Sequence, residues 1–276
     1  MSPSTMENHK VVSQKEWVEA RKSLLAKEKE LTRRRDALNA ERLTLPWTRV
    51  EKNYLFEGPN GELSLGDLFG NRSQLIVYHF MFGPGWKEGC PSCSMVGDDM
   101  SGSVVHLANR DVTLVAVSRA PFSEIRAFQQ RMNWPFKWFS SFGSDFNFDF
   151  HVSFTPEEKE KKEMYYNYAR QHFPSEEGPG ASVFYKDAIG NVFHTYSTFG
   201  RGLEGCIGAY KYLDIAPKGR DEEQLPHPMA WVRHHDRYQD NYFDSAPAGT
   251  STPAASAANG AGMKSAGSCC AADQHS

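Results

Sequence analysis

The sequence predicts an α/β fold, on three observations. Residues 75–82 and 112–117 are short, almost continuous apolar runs, as expected for strands that are covered on both faces of a sheet. A stretch with helical character follows each run. Hydrophobic residues make up 39% and aromatic residues 13% of the 276-residue chain, enough for a sizeable core. We therefore expect a central sheet with helices on both faces.

A long charged helix is predicted ahead of the sheet, over residues 13–45, after a disordered segment of residues 1–12. Ser13 and Glu16 have the spacing of a capping box, and Pro46 follows the end of the helix. The helix carries one apolar stripe with a seven-residue repeat: Trp17, Leu24, Leu31 and Leu38. Such a stripe either packs along its own domain or forms a coiled coil, which would make the protein a homodimer.

The main domain is expected to span residues 46–243. Pro121 suits the first turn of a helix, and residues 186–191 read as the turn of a hairpin. The predicted strands lie at 49–56, 74–82, 112–117, 136–139, 182–185 and 192–195, and the predicted helices at 95–109, 122–132, 157–172 and 203–213.

The last segment, residues 244–276, is predicted to be a disordered tail. It consists largely of Ala, Gly, Ser, Thr and Pro, which bury too little apolar surface to offset the entropy of ordering. The tail contains Cys269 and Cys270. This pair is either incidental or a tethered set of thiols that delivers electrons to other cysteines or traps a soft metal.

Charge and apolar patterning exclude several classes of protein. The net charge of −3 gives no overall positive field for nucleic acid, so neither nucleic acid nor membrane is an expected partner. No apolar run is long enough to cross a bilayer, and the first residues lack the pattern of a signal peptide. Five cysteines, an odd number, argue against a secreted disulfide scaffold. We expect a cytoplasmic protein with reduced thiols.

The sequence places the predicted reactive residues in the loop Gly-Cys-Pro-Ser-Cys, which ends at Cys93. It follows a buried strand, and Pro91 occupies the first position of a helix, where proline is tolerated. Cys90 then lies at the helix N-terminus, where unpaired N–H groups and the helix dipole favour the thiolate. Cys93, one turn later, can resolve a mixed disulfide formed at Cys90. This predicts a dithiol redox pair.

Zinc binding and a purely structural pair are the competing interpretations of this loop. A closed zinc site needs four ligands, usually in two spaced pairs, and the chain has no second Cys-x-x-Cys. Cys206 stands alone in the sequence. We therefore expect neither a metal nor a dissociable cofactor. A redox-sensing or metal-binding interaction protein, without turnover, remains the non-enzymatic alternative.

At these residues the sequence resembles known proteins. A Cys-Pro-x-Cys loop after a strand is the arrangement of the thioredoxin fold. Longer motifs resemble the domain of unknown function 899 family, whose members are described as predicted dithiol–disulfide oxidoreductases. These motifs are LPWTRVEKNYLFEG, QLIVYHFMFGP, EGCPSCS, DVTLVAVSRAP, GSDFNFDFHVSFT and FHTYSTFGRGL. The resemblance covers roughly residues 11–238. It implies a thioredoxin-like fold with peroxiredoxin-style strand order, in which Cys90 and Cys93 match the redox pair.

The function implied is thiol–disulfide exchange. The substrate would be a disulfide-containing protein or a small thiol or disulfide, and a cellular thiol reductant would recycle the pair. A thiol peroxidase is the second hypothesis. Peroxiredoxins carry Pro and Thr seven and three residues before the reactive cysteine, whereas Gly83 and Lys87 stand there before Cys90, and Trp86 and Cys90 before Cys93.

Five residues are candidates for substrate binding: Trp86, Pro91, Arg119, Pro179 and Ser182. Arg119 ends a buried strand and could bind an anionic group, such as a glutathione carboxylate, or form a surface ion pair. Thioredoxin-fold enzymes usually carry a cis-proline just before the strand facing the cysteines. With that strand predicted at 182–185, Pro179 is too early and Ser182 or Ala181 takes its place. His79, on the preceding strand, is either a core histidine or a proton relay to the dithiol.

Overall fold

The computed structural model describes residues 9–239. Residues 1–8 of the segment predicted to be disordered at the N-terminus lie outside the described residues. So does the whole of the predicted tail, residues 244–276, with Cys269 and Cys270. Residues 9–12 have no regular secondary structure.

Helix α1 (Gln14–Arg42) is the predicted N-terminal helix. Its capping box is present: the Ser13 hydroxyl accepts from the Glu16 amide, and the Glu16 carboxylate accepts from the Ser13 amide. No residue of α1 is buried, and Trp17 and Leu31 are 53% and 69% exposed. The interpretation that the apolar stripe packs along its own domain is therefore wrong, because the body of the domain does not cover it. Pairing with a second copy stays a prediction.

A mixed eight-stranded sheet forms the centre of the fold. Its order is β1-β10-β9-β4-β5-β6-β2-β3. The strands are β1 (Thr48–Arg49), β2 (Leu55–Gly58), β3 (Gly61–Ser64), β4 (Gln74–His79), β5 (Val112–Ser118), β6 (Lys137–Ser140), β9 (Gly180–Lys186) and β10 (Val192–Phe199). A separate hairpin consists of β7 (Met164–Tyr166) and β8 (Ala169–Gln171).

The strand directions give the predicted thioredoxin-like fold. Strands β4, β5 and β6 are parallel, with Val77 opposite Val115 and Val117 opposite Phe139. Strand β9 runs antiparallel to β4, and β10 antiparallel to β9. The parallel strand β6 beside β5 and the outer hairpin β2–β3 complete the peroxiredoxin-style order that the resemblance implies. The apolar runs at 75–82 and 112–117 became the two central strands because both of their faces are covered.

Helices lie on both faces of the sheet. They are α2 (Leu65–Leu68), α3 (Pro91–Ala108), α4 (Phe122–Arg131), α5 (Phe146–Asp149), α6 (Pro156–Lys161) and α7 (Gly208–Leu213). Helices α3, α4 and α7 enclose an aromatic core on one face, which includes Tyr78, Cys93, Phe128 and Trp138. Helices α2 and α5 cover the other face, where Val77 and Val115 pack with Phe146.

Two predicted helices differ from the structure. The chain at 157–172 forms α6 and then the hairpin β7–β8. Helix α6 ends at Lys162, which is left-handed at φ 55°, and Asn167 and Tyr168, at φ 53° and 63°, turn the chain between the two strands. Tyr166 is thereby buried, which its charged neighbours did not indicate. The last predicted helix begins as a 3-10 helix, Gly200–Cys206, and only then continues as α7.

None of the helices within residues 9–239 is both long and apolar enough to cross a membrane.

Candidate active site

The cysteine loop joins the carboxyl end of β4 to helix α3, as predicted. Cys90 is the N-cap of α3 and Pro91 is its first residue. The Cys90 amide donates to the carbonyl of Met81 at 3.0 Å, which fixes the loop against the end of the strand. Cys90 is partly exposed, Cys93 is buried, and both are free thiols. The helix start therefore presents one sulfur to solvent and holds the other in the core.

Hydrogen bonds stabilise the Cys90 thiolate. The Cys93 thiol contributes most, and the amides of Cys93 and Ser92 and the Ser92 hydroxyl add to it. Together they lower the pKa of Cys90 from 9.0 to about 6, although burial opposes the shift. These donors are available because the first N–H groups of a helix have no partner within the helix. A thiol with this pKa is largely ionised near neutral pH.

Cys93 has the opposite character. Burial raises its pKa well above the usual thiol value, and the hydrogen bond to Cys90 and the charge of Cys90 raise it further. Two donors partly offset this effect: the hydroxyl of Tyr78 and the backbone amide of Met81. Tyr78 is itself buried, and burial followed by the Cys93 charge raises its pKa, so it remains a phenol that can donate. Sequence reasoning missed Tyr78, which stands in an apolar run with no polar pattern around it.

Glu88, two residues before Cys90, has its charge balanced by arginines. It accepts from Arg131 at 2.9 Å and from Arg237 at 2.7 Å. Lys87 is exposed. The negative charge that would oppose a thiolate at Cys90 is thus paired with two cations from elsewhere in the chain. Arg237 lies 149 residues away in sequence, so no local motif indicates the contact.

Trp86 and Pro91 are the candidate substrate-binding residues nearest to Cys90 in the sequence. Trp86 packs against the same core as Cys90, and its indole N–H donates to Glu176 at 2.5 Å. Pro91 is exposed at the start of α3. A substrate-binding role for these two side chains stays a prediction.

Arg119 forms an ion pair with a buried carboxylate, not with a surface one. Its Nε donates to Glu177 at 2.7 Å, and Glu177 is only 1% exposed. Burial raises the pKa of Glu177, while the Arg119 charge and a hydrogen bond from Ser153 oppose that shift. The guanidinium also lies 4.6 Å above the Phe148 ring, at the edge of a surface cleft of about 590 Å³. The predicted surface ion pair is therefore wrong as to its partner, which is buried. A role in binding an anionic substrate group stays a prediction.

The positions of Pro179 and Ser182 change the prediction about the facing strand. Strand β9 begins at Gly180, which is paired with His79, so Pro179 directly precedes it and does not lie too early. Residues 9–239 contain no cis peptide bond. The carbonyl of Pro179 accepts from the Tyr166 hydroxyl at 2.6 Å.

Ser182 is fully buried, and its hydroxyl bonds His79 and Ser197, each at 2.8 Å. The prediction that Ser182 binds substrate is therefore wrong, because Ser182 is buried beside His79 on the sheet face away from the cysteines.

His79 belongs to that second core. It stacks against Phe150 and Phe146, on the face of the sheet away from the cysteines. Burial lowers its pKa to about 3, so it is neutral at physiological pH. Of the two predicted roles, His79 is therefore a core histidine and not a relay to the dithiol.

Within the part of the chain that the structure describes, no group of three or more His, Cys, Asp or Glu side chains is arranged to hold a metal ion. Cys206 is a free thiol at the end of the 3-10 helix, and burial raises its pKa.

The family model described as "Bacterial protein of unknown function (DUF899)" matches residues 6–238. The chain belongs to this family. A search of curated proteins finds no match.

Solved structures that resemble the chain include peroxiredoxins. A cysteine-to-serine mutant of peroxiredoxin Q from Xanthomonas campestris is 14% identical with a TM-score of 0.37, over 57% of this chain and 90% of that one. Peroxidoxin BcpB from Mycobacterium tuberculosis is 10% identical with a TM-score of 0.36, over 61% and 97%. The mitochondrial 2-Cys peroxiredoxin of Plasmodium falciparum is 12% identical with a TM-score of 0.37, over 63% and 96%. Similarities this low identify no activity.

Proposed function

We propose that this DUF899 protein is a thiol–disulfide oxidoreductase that uses Cys90 and Cys93 as its redox pair. One observation carries the proposal: the two thiols have opposite electrostatic environments within one turn of helix α3. Cys90 is partly exposed with a lowered pKa, and Cys93 is buried with a raised pKa. An exchange reaction needs one thiol ready to attack and a second that reacts only after a mixed disulfide has formed.

The first step uses the Cys90 thiolate. It attacks one sulfur of a substrate disulfide, forms a mixed disulfide with that half, and releases the other half as a thiolate, which takes up a proton. Cys93 stays protonated during this step because burial and the Cys90 charge both raise its pKa. Cys90 is partly exposed whereas Cys93 is buried, so Cys90 is the thiol that a substrate can reach.

Formation of the mixed disulfide activates Cys93. Once Cys90 is bonded to the substrate it carries no charge, so its contribution to the raised pKa of Cys93 disappears. The Tyr78 hydroxyl and the Met81 amide remain as donors to the Cys93 sulfur. Cys93 then loses its proton to the departing thiolate or to solvent and attacks the Cys90 sulfur. The second substrate half leaves as a thiol, and the two electrons that reduce the substrate come from the oxidation of Cys90 and Cys93 to a disulfide.

A cellular thiol reductant would return the pair to the dithiol by the reverse exchange. We propose a disulfide-containing protein or a small thiol or disulfide as the substrate, and the cytoplasm as the compartment, since reduced thiols persist there.

The test is a redox titration of the purified protein in glutathione buffers, with the thiols trapped by alkylation and mapped by peptide mass. We expect a reversible Cys90–Cys93 disulfide with a potential between about −120 and −270 mV, the range of working exchangers. Cys206→Ser is the matched control and should keep this transition, whereas Cys90→Ser should abolish both the disulfide and the exchange activity. Full activity in Cys90→Ser would refute the proposal.

Three further readouts separate the alternatives. Peroxide consumption that is lost in Cys90→Ser would indicate a thiol peroxidase. Alkylation that is blocked until a chelator is added would indicate metal binding. Stoichiometric oxidation without turnover would indicate a redox sensor.

A further inference from the structure

Residues 229–238, a segment termed the strap, lie against the cysteine loop. Two of its side chains, Val232 and His234, are buried, at 3% and 1% exposure. The Met229 amide and the Trp231 indole both donate to Glu222, at 3.0 and 2.7 Å, which fixes the start of the strap.

The strap contacts the loop at the peptide just before Cys90. His234 Nε2 lies 2.8 Å from the carbonyl oxygen of Gly89. The N–H of the same peptide plane, that of Cys90, donates to Met81. Both polar groups of the Gly89–Cys90 peptide are therefore held, one by the strap and one by the end of β4. This peptide sets the direction of the Cys90 side chain.

The neighbours of His234 determine which ring nitrogen donates a hydrogen bond and which accepts one. A carbonyl oxygen can only accept, so Nε2 must carry the hydrogen. Arg131, which can only donate, lies 3.2 Å from Nδ1, so Nδ1 must be the acceptor. The other charged groups around the ring are Glu88, 3.8 Å from Nδ1, and Asp236, which Arg131 binds through two nitrogens. The contacts therefore place a hydrogen on Nε2 and use Nδ1 as an acceptor.

Aromatic side chains packed against Gly89 also restrict the movement of the loop. An added Cβ on Gly89 would lie 2.6 Å from Phe80 and 2.8 Å from Phe128. Phe128 also contacts the His234 ring edge-on, with centroids 5.2 Å apart. The glycine, the two rings and the imidazole thus form one packed unit behind Cys90.

We propose that His234, on the strap, is a positioning residue of the dithiol centre, which directs the Cys90 sulfur toward its N–H donors by holding the Gly89 carbonyl. This inference depends on the proposed function only for its biological meaning. Its physical content, the link between His234 and the ionisation of Cys90, can be measured without any substrate.

The experiment compares three variants by the pH dependence of Cys90 alkylation, resolved by peptide mass. His234→Phe keeps the packing against Phe128 but removes the donor. His234→Gln keeps a donor at the position of Nε2. His235→Ala is the matched control, since His235 is on the strap but bonds Asp98 of helix α3 and not the loop.

We expect His234→Phe to slow Cys90 alkylation at pH 5 about tenfold, which corresponds to one pKa unit. His234→Gln should remain within about twofold of the wild type, because an amide N–H replaces the ring N–H. His235→Ala should leave the titration unchanged even where it lowers the melting temperature. If His234→Phe titrates like the wild type, or if all three variants are slowed equally, the inference is wrong.

If His234→Phe does not fold, the tautomer of His234 in the wild-type protein, measured by NMR, tests the inference. An Nε2–H tautomer with a slowly exchanging proton would support the inference, and an Nδ1–H tautomer would overturn it. These results are independent of exchange activity. An effect of His234 on Cys90 in a protein without exchange activity would refute the proposed function alone.

Discussion

The role of Cys93 as a hydrogen-bond donor to Cys90 can be tested by exchanging its sulfur. Cys93→Ala removes the donor, whereas Cys93→Ser replaces it with a hydroxyl that can still donate. The Cys93 thiol is the largest contribution to the lowered pKa of Cys90, so the two variants should separate clearly. A hydrogen bond to a charged group contributes about 1.5–3 kcal/mol, which is about one to two pKa units.

From the wild-type value of about 6, the pKa of Cys90 should therefore rise to about 7–8 in Cys93→Ala and change by less than about half a unit in Cys93→Ser. The assay is thiolate absorbance near 240 nm against pH, supported by alkylation rates resolved by peptide. Replacing the tail cysteines with serine in the parent protein keeps their thiols out of the absorbance signal.

Two outcomes would refute the reasoning. The first is a wild-type Cys90 that titrates like an ordinary thiol, near 8.5. The second is the same Cys90 pKa in both Cys93 variants, which would mean that the helix amides alone stabilise the Cys90 thiolate.

Three further predictions concern the same centre. Tyr78→Phe removes a donor from Cys93 and should slow resolution of a trapped mixed disulfide about three- to tenfold, measured by quenched-flow alkylation, with no change in the first attack. Because the folded pKa of Cys90 lies below its unfolded value, its stabilisation is lost as the pH falls toward 6. In urea unfolding, the free energy of unfolding of the reduced wild type, measured relative to that of Cys90→Ser, should therefore rise by about 2 kcal/mol from about pH 5.5 to pH 8. A difference between the two proteins that does not change with pH would contradict this. Gly89→Ala should destabilise the protein by about 1–3 kcal/mol through its clash with the packed rings. Gly102→Ala, which meets no atom within 4 Å in helix α3, should be neutral or stabilising in the same unfolding assay.

The parts of the fold that the sequence predicted are those whose signals are local. The apolar runs of β4 and β5 have no solvent-facing side, so their composition alone indicates central strands. Pro91 marks the first turn of α3, and its position in the sequence is enough to place Cys90 at the helix start.

The errors arose where distant contacts decide the outcome. The 157–172 stretch is charged enough for a helix, but tertiary packing buries Tyr166 against Phe154 and Phe199 and selects a hairpin. The stripe on α1 has helical spacing, but spacing alone does not show whether the domain covers it, and it does not. Ser182 occupied the expected place only because the start of β9 was placed two residues late.

The same distinction between local and distant contacts explains why the two thiols differ. The donors to Cys90 come from Ser92 and Cys93, so the helix start provides most of its lowered pKa wherever such a loop opens a helix. The donors to Cys93 come from Tyr78 on β4 and from Met81, and its burial comes from the packed core. In the proposed exchange, the sequence of the loop therefore determines which thiol attacks first. The fold determines when the second thiol reacts, because the pKa of Cys93 falls when the neighbouring Cys90 charge is removed.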